Sequence, residues 1–130
     1  MPKDLFIEYI RRDSDRFYQL LGPVFGSRSI AKEVGIHAYD DADKQWIGGF
    51  ELGELVGWLS HRKSVISDCY VLQSHRRKGV LANLLSVAIK DFGSPLRACC
   101  TAKSVGVFAN AGFREIRRTT NFVHMVCNNA

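Results

Sequence analysis

The run Arg76-Arg77-Lys78-Gly79-Val80-Leu81 sets three cations and a glycine directly before an apolar-periodic segment. A strand-like stretch ending at Val71-Leu72 precedes it, joined by the short polar loop Gln73-Ser74-His75. The first N–H groups of a helix lack partners within it. With the helix dipole they form an anion site, and Gly79 removes the side chain that would keep a phosphate at a distance. Arg76, Arg77 and Lys78 add positive charge, so the turn suits a pyrophosphate paired by backbone donors and cations rather than by dedicated metal ligands. The chain contains no Gly-x-Gly-x-x-Gly and no Gly-x-x-x-x-Gly-Lys-Ser/Thr, which argues against a Rossmann or Walker phosphate loop.

Upstream, Asp68 and Tyr70 lie two apart on the strand that feeds this turn, so their side chains share a face. A carboxylate partly buried there could have a raised pKa and take a proton near neutral pH. His61 and His75 sit in basic turns and read as surface. Glu51 and Glu54 read as turn residues that could line an entrance. The four cysteines (Cys69, Cys99, Cys100, Cys127) lack Cys-x-x-Cys spacing, so no metal site is expected, and Cys99 and Cys100 should point to opposite faces of a strand.

These residues need a scaffold. At 130 residues the chain is expected to form one domain spanning residues 1–130. It has no apolar run long enough to cross a membrane, so a cytoplasmic protein is expected. Leu5–Ile10 reads as a first strand. A helix capped by Asp13 or Ser14 carries Phe17, Leu20 and Leu21 and should stop at Gly22-Pro23. A second helix is expected over Ser27–Val34, capped by Ser27 or Ser29 and ended by Gly35. Gln45–Phe50 and Glu54–Leu59 form a hairpin, Val65–Leu72 a third antiparallel strand. Asp40-Asp41-Ala42-Asp43 reads as a solvated turn. Leu81, Leu84, Leu85, Ala88, Ile89 and Phe92 then mark an amphipathic helix ending at Gly93. A strand at Leu96–Thr101, a short helix at Lys103–Ala111, and strands near 114–118 and 122–126 follow. Trp46, Trp58, Phe50 and Phe6 are expected in the core. The order predicts an α/β fold, a mixed central sheet of about six or seven strands flanked by helices on both faces.

The net charge of +5 fits an anionic ligand, nucleic acid or an acidic protein surface. Many of the basic residues fall into four clusters, of which only Arg76-Arg77-Lys78 sits in a pattern with a mechanism. Arg11-Arg12, His61-Arg62-Lys63 and Arg114 with Arg117-Arg118 read as solvated surface.

The stretch Val71 to Leu81, followed by Leu84-Leu85, resembles the signature of the GNAT superfamily of N-acetyltransferases, Val-x-Pro-x-x-Arg/Gln-x-x-Gly-x-Gly/Ala before a Leu-Leu pair. Gln73 replaces the usual Pro, and Leu81 the usual small residue. Phe108-Ala109-Asn110-Ala111-Gly112-Phe113 is similar to the family's Tyr-x-x-x-Gly-Phe helix end. The resemblance implies a single GNAT-like domain using acetyl-CoA, without a metal, to acetylate an amine. In it, the backbone of Cys69, Tyr70 and Val71 would hold the pantetheine arm, and the N–H groups of Arg76, Arg77, Lys78, Gly79, Val80 and Leu81 the pyrophosphate. It implies an acceptor that is a small molecule or a protein, acidic ones included, and a monomer or homodimer. Phe108 stands where the family keeps its thiolate-protonating Tyr. Either Tyr70, Ser104 or a water donates instead, or the thiolate leaves unaided; Asp68, sharing a face with Tyr70, is the candidate base. The alternative is a catalytically degenerate module that binds CoA, nucleic acid or a partner protein.

Overall fold

The computed structural model describes residues 5–34 and 43–128. Seven strands form one sheet: β1 (Leu5–Ile10), β2 (Gln45–Glu51), β3 (Glu54–Arg62), β4 (Val65–Val71), β5 (Leu96–Cys100), β6 (Arg114–Arg118) and β7 (Val123–Cys127). Their spatial order is β1-β2-β3-β4-β5-β7-β6. The β4–β5 pair is parallel, the others antiparallel. Helices α1 (Phe17–Phe25), α2 (Arg28–Val34), α3 (Val80–Phe92) and α4 (Val105–Asn110) complete the order. The expected mixed sheet with helices on both faces is therefore present.

Alternation along the strands divides the interior into two clusters, one on each face. On one face Leu84, Leu85 and Ala88 of α3 and Phe108 of α4 pack with Val56, Leu59, Ile66, Ala98 and Met125 of the sheet. On the other, Phe17, Leu21 and Val24 of α1 pack with Ile10, Trp46, Phe50 and Trp58. Phe6, expected in the core, is 63% exposed, because it stands on an edge strand outside the cluster that α1 covers.

The second departure is at α1, which does not stop at Gly22-Pro23 but runs to Phe25 with Pro23 inside it. Proline in a helix interior costs about 3 kcal/mol through a lost hydrogen bond and a ring clash. Beyond it, Val24 is buried, and the Phe25 ring meets Trp46 edge-on at 5.5 Å. Burying Val24 and part of Phe25 offsets a cost of that order. In α2, Ser27 is the cap, its Oγ accepting the Ile30 N–H at 3.1 Å. Gly35 and residues 40–42 lie outside the described residues, while Asp43 accepts from Arg62 Nε at 2.8 Å.

Helix α3 sits tightly on the sheet at its N-terminal end. A Cβ on Gly57 would come within 2.8 Å of Val80 Cγ1 and 3.2 Å of the Tyr70 carbonyl oxygen, and one on Gly49 within 3.2 Å of Val80 Cγ1. These two glycines let the first residue of α3 touch β2 and β3. Gly57→Val should lower stability by about 1–3 kcal/mol, the range for overpacking a close-packed site. A urea unfolding midpoint unchanged from wild type would refute this packing role.

Candidate functional site

The site is made by the way β4 departs from regular pairing. Trp58 faces Tyr70 and Ser60 faces Ser67, so Asp68 and Cys69 together oppose Leu59. This is a β-bulge, and Asp68 adopts φ +58 within it. Asp is among the few residues that tolerate the left-handed region. On the other side of β4, parallel pairing with β5 covers only Val65↔Arg97 and Ile66↔Ala98. Beyond Ile66 the two strands part.

Leu72 N–H bonds the Val56 carbonyl on β3 at 2.8 Å. By alternation, the N–H and C=O of Val71 are turned away from β3, into the opening. The Val71 carbonyl already has a partner there, Arg76 Nε at 2.9 Å. The opening is therefore bordered by backbone groups of a strand without a neighbour.

Above it lies the N-terminus of α3. Gly79 caps the helix at φ +81, and Arg77 just before it also has a positive φ, +63. The first bond into the helix is from Asn83 N–H to the Gly79 carbonyl at 3.0 Å, with Asn83 Nδ2 donating to the same oxygen at 2.7 Å. The N–H groups of Val80, Leu81 and Ala82 thus precede the helical ladder. Leu81 packs against the core rather than standing in the turn.

Of the three cations, Arg77 and Lys78 are exposed at the turn. Arg76 is directed elsewhere: its N–H bonds the Gln73 carbonyl at 3.4 Å, its guanidinium lies 5.2 Å from the Tyr70 ring centroid, and it pairs with Glu33 of α2. Tyr70 stacks on Trp58 and donates its hydroxyl to Glu33 Oε1 at 2.8 Å. Burial, then the bond to Glu33, raises the Tyr70 pKa, so the phenol is held as a donor. The hydrogen bond from Tyr70 first, and Arg76 with it, pulls Glu33 down. Glu33 was missed in the sequence, where nothing local connects α2 to β4.

Asp68 shares the face of Tyr70 but not its partners. Its Oδ2 accepts from Ser60 Oγ at 2.6 Å, Lys44 Nζ at 2.9 Å and, at 3.5 Å, Ser67 Oγ. Both Lys44 and Asp68 side chains are 10% exposed. Cys69 lies on the opposite face with its thiol pushed well up, chiefly by burial. Ser104 precedes α4, its Oγ 3.4 Å from Thr101 Oγ1. Phe108 is fully buried, edge-on to Phe113. The remaining candidates are drawn into other contacts. His75 approaches Glu51 at 3.7 Å, His61 stacks flat on Phe92, and Glu54 is exposed. Cys100 is buried and Cys99 lies on the other face, as expected of neighbours in a strand. An open groove of about 610 Å³ at the ends of β1 and β2, lined by Arg11, Arg12 and Trp46 among others, meets this site, among the described residues, through Lys44.

The architecture as a whole matches solved structures. The GNAT-family acetyltransferase of Elizabethkingia anophelis solved with acetyl-CoA bound matches 98% of this chain over 99% of its own, with TM-score 0.60 and 13% identity. The fold is the GNAT fold. Escherichia coli ElaA matches with TM-score 0.69 and 13% identity, covering 95% of this chain and 98% of that one. An aminoglycoside 6'-N-acetyltransferase complexed with coenzyme A also gives TM-score 0.69, at 11% identity, covering 95% and 96%. No family model and no curated protein matches the sequence. GNAT similarity here is one of architecture.

The Glu33–Tyr70 bond makes a direct prediction. Glu33→Gln removes a carboxylate that raises the Tyr70 pKa and leaves Arg76, which lowers it. Tyr70 should then ionise at lower pH than in wild type, in ultraviolet difference titration referenced to Tyr70→Phe. An unchanged or higher midpoint would contradict the pairing.

Proposed function

We propose that the chain is an acetyl-CoA-dependent N-acetyltransferase that passes an acetyl group directly from the thioester to an amine. The observation that carries this reading is the parting of β4 and β5 directly beside the N-terminus of α3. One strand-turn-helix unit thereby offers both a channel for an extended arm and a cradle for a pyrophosphate. The N–H groups of Gly79, Val80 and Leu81, with the Arg77 and Lys78 side chains, would hold the pyrophosphate. The Val71 N–H and the backbone of Cys69 would hold the arm, and Tyr70 would wall it. The bound thioester supplies the activated acetyl group.

The chain's own residues position and move protons. The amine nitrogen bonds the thioester carbonyl carbon, the C–S bond breaks, and the thiolate leaves. Holding the partners in line accounts for most of the rate. Asp68 is the proposed acceptor of the amine's proton. Ser104, before α4, and Tyr70, held protonated, are the proposed donors to the thiolate, since Phe108 carries no acidic proton.

Two substitutions test the reading. Gly79→Val forces a β-branched residue to φ +81 and should weaken acetyl-CoA binding at least about tenfold by calorimetry, a loss of 1.4 kcal/mol. Undiminished affinity would remove the pyrophosphate assignment. Asp68→Asn keeps a residue that tolerates positive φ but cannot take the proton. It should lower kcat by roughly 10²–10⁴-fold, the usual size of acid–base assistance, with acetyl-CoA affinity preserved. An unchanged kcat would leave Asp68 as a scaffold residue, and binding without thiol release in the wild type would leave a CoA-binding module.

A further inference from the structure

The sheet face opposite α3 is covered unevenly. Helices α1 and α2 pack over β1 to β4, and no residue of β5, β6 or β7 joins their cluster. The register sets out what this open part carries. Arg97 on β5 and Arg114 on β6 both face Val126 of β7, while Cys99 on β5 and Arg117 on β6 both face His124. Val123, Met125 and Cys127, the alternate positions of β7, are buried on the α3 side, so these six residues share the other face.

Three arginines thus stand in two adjacent rows on the half of the sheet that begins at the parting of β4 and β5. All three are exposed, and no ion pair among the described residues involves them. Their neighbour Arg118 differs, pairing with Glu115 at 2.8 Å on the α3 side. Val126 is only 8% exposed although no helix among the described residues covers it, as expected if the arginine stems beside it lie along the sheet. The positive charge of Arg117 is felt at the Cys99 thiol, which burial otherwise pushes up. The turn at Gly79 packs on the α3 face, so these guanidiniums are on the wrong side of the sheet for the cofactor's pyrophosphate.

We infer that Arg97, Arg114 and Arg117 form a docking surface for an acidic peptide, which presents the acceptor amine to the opening between β4 and β5. The inference rests on the transfer reading for the amine's fate, but not for the docking itself. Guanidinium forks match carboxylates in geometry and charge. Nucleic acid fits less well: single strands are held by bases stacking on aromatic rings, and the six strand positions of this face carry no Phe, Tyr or Trp.

The test uses the full chain and two fluorescein-labelled peptides, a lysine flanked by glutamates and the same lysine flanked by serines. Fluorescence anisotropy without acetyl-CoA should show the acidic peptide binding about tenfold more tightly, the size expected of three exposed ion pairs, with the difference shrinking as salt rises. The triple charge reversal Arg97→Glu, Arg114→Glu, Arg117→Glu should abolish the preference, and Arg→Gln at the same three positions should reduce it, with acetyl-CoA affinity and circular dichroism unchanged in both. Equal binding of the two peptides, a preference that survives the reversal, or tighter binding of a single-stranded oligonucleotide of equal charge would each overturn the inference. Because peptide binding and acetyl-CoA binding are measured separately, loss of one does not imply loss of the other.

Discussion

Everything at the site depends on β4 abandoning β5 after Ile66. A strand inside a sheet normally satisfies its backbone on both sides, and leaving N–H and C=O groups unpaired in the interior is costly. The chain meets that cost locally. Asp68, in the left-handed region, inserts the extra residue that turns β4 away, and three side-chain donors converge on its carboxylate. The ion pair with Lys44, both side chains 10% exposed, holds the Asp68 carboxylate at the bulge. Arg76 then supplies a donor to the Val71 carbonyl, which the missing strand would have served. What remains is a strand edge with spare donors and acceptors, suited to an extended amide-containing ligand.

The helix that closes the site is placed by absence of side chain rather than by attraction. Gly57 and Gly49 allow Val80 onto the sheet, and that contact fixes where the first N–H groups of α3 point. Gly79 works differently, through a φ that branched residues adopt only under strain. Arg76 links the two halves: it leaves the turn, crosses the Tyr70 ring and meets Glu33, so α2 on one face is tied to the turn that starts α3 on the other. A change in α2 can therefore reach the cradle through a short chain of charged and aromatic contacts.

Much of this was legible in the residues. The α3 period, its glycine start and Gly93 stop, and the hairpin at Leu52-Gly53 are local patterns, and local patterns fix element type. Pro23 misled because the contacts that carry α1 past it, Phe25 on Trp46 above all, lie far off in sequence. Glu33 and the destination of Arg76 were illegible for the same reason. The bulge was hidden more deeply, since Asp68 looks like any strand Asp until the partner's register shows two residues facing one.

The charge was read as four clusters along the chain, and the fold sorts it by face instead. Arg114 and Arg117 belong to one cluster with Arg118 in sequence, yet the bulge between Glu115 and Arg117 puts Arg118 across from Val123 with a carboxylate partner, and Arg117 across from His124 with none among the described residues. Arg97, isolated in sequence, joins the unpaired pair through Val126. A net charge of +5 says only that anions are favoured somewhere. Strand register turns that diffuse preference into two localised fields, one at the start of α3 and one on the far side of the sheet. The parting of β4 and β5 lies between them, so two anionic groups approaching from opposite faces would meet at one opening without competing for the same cations.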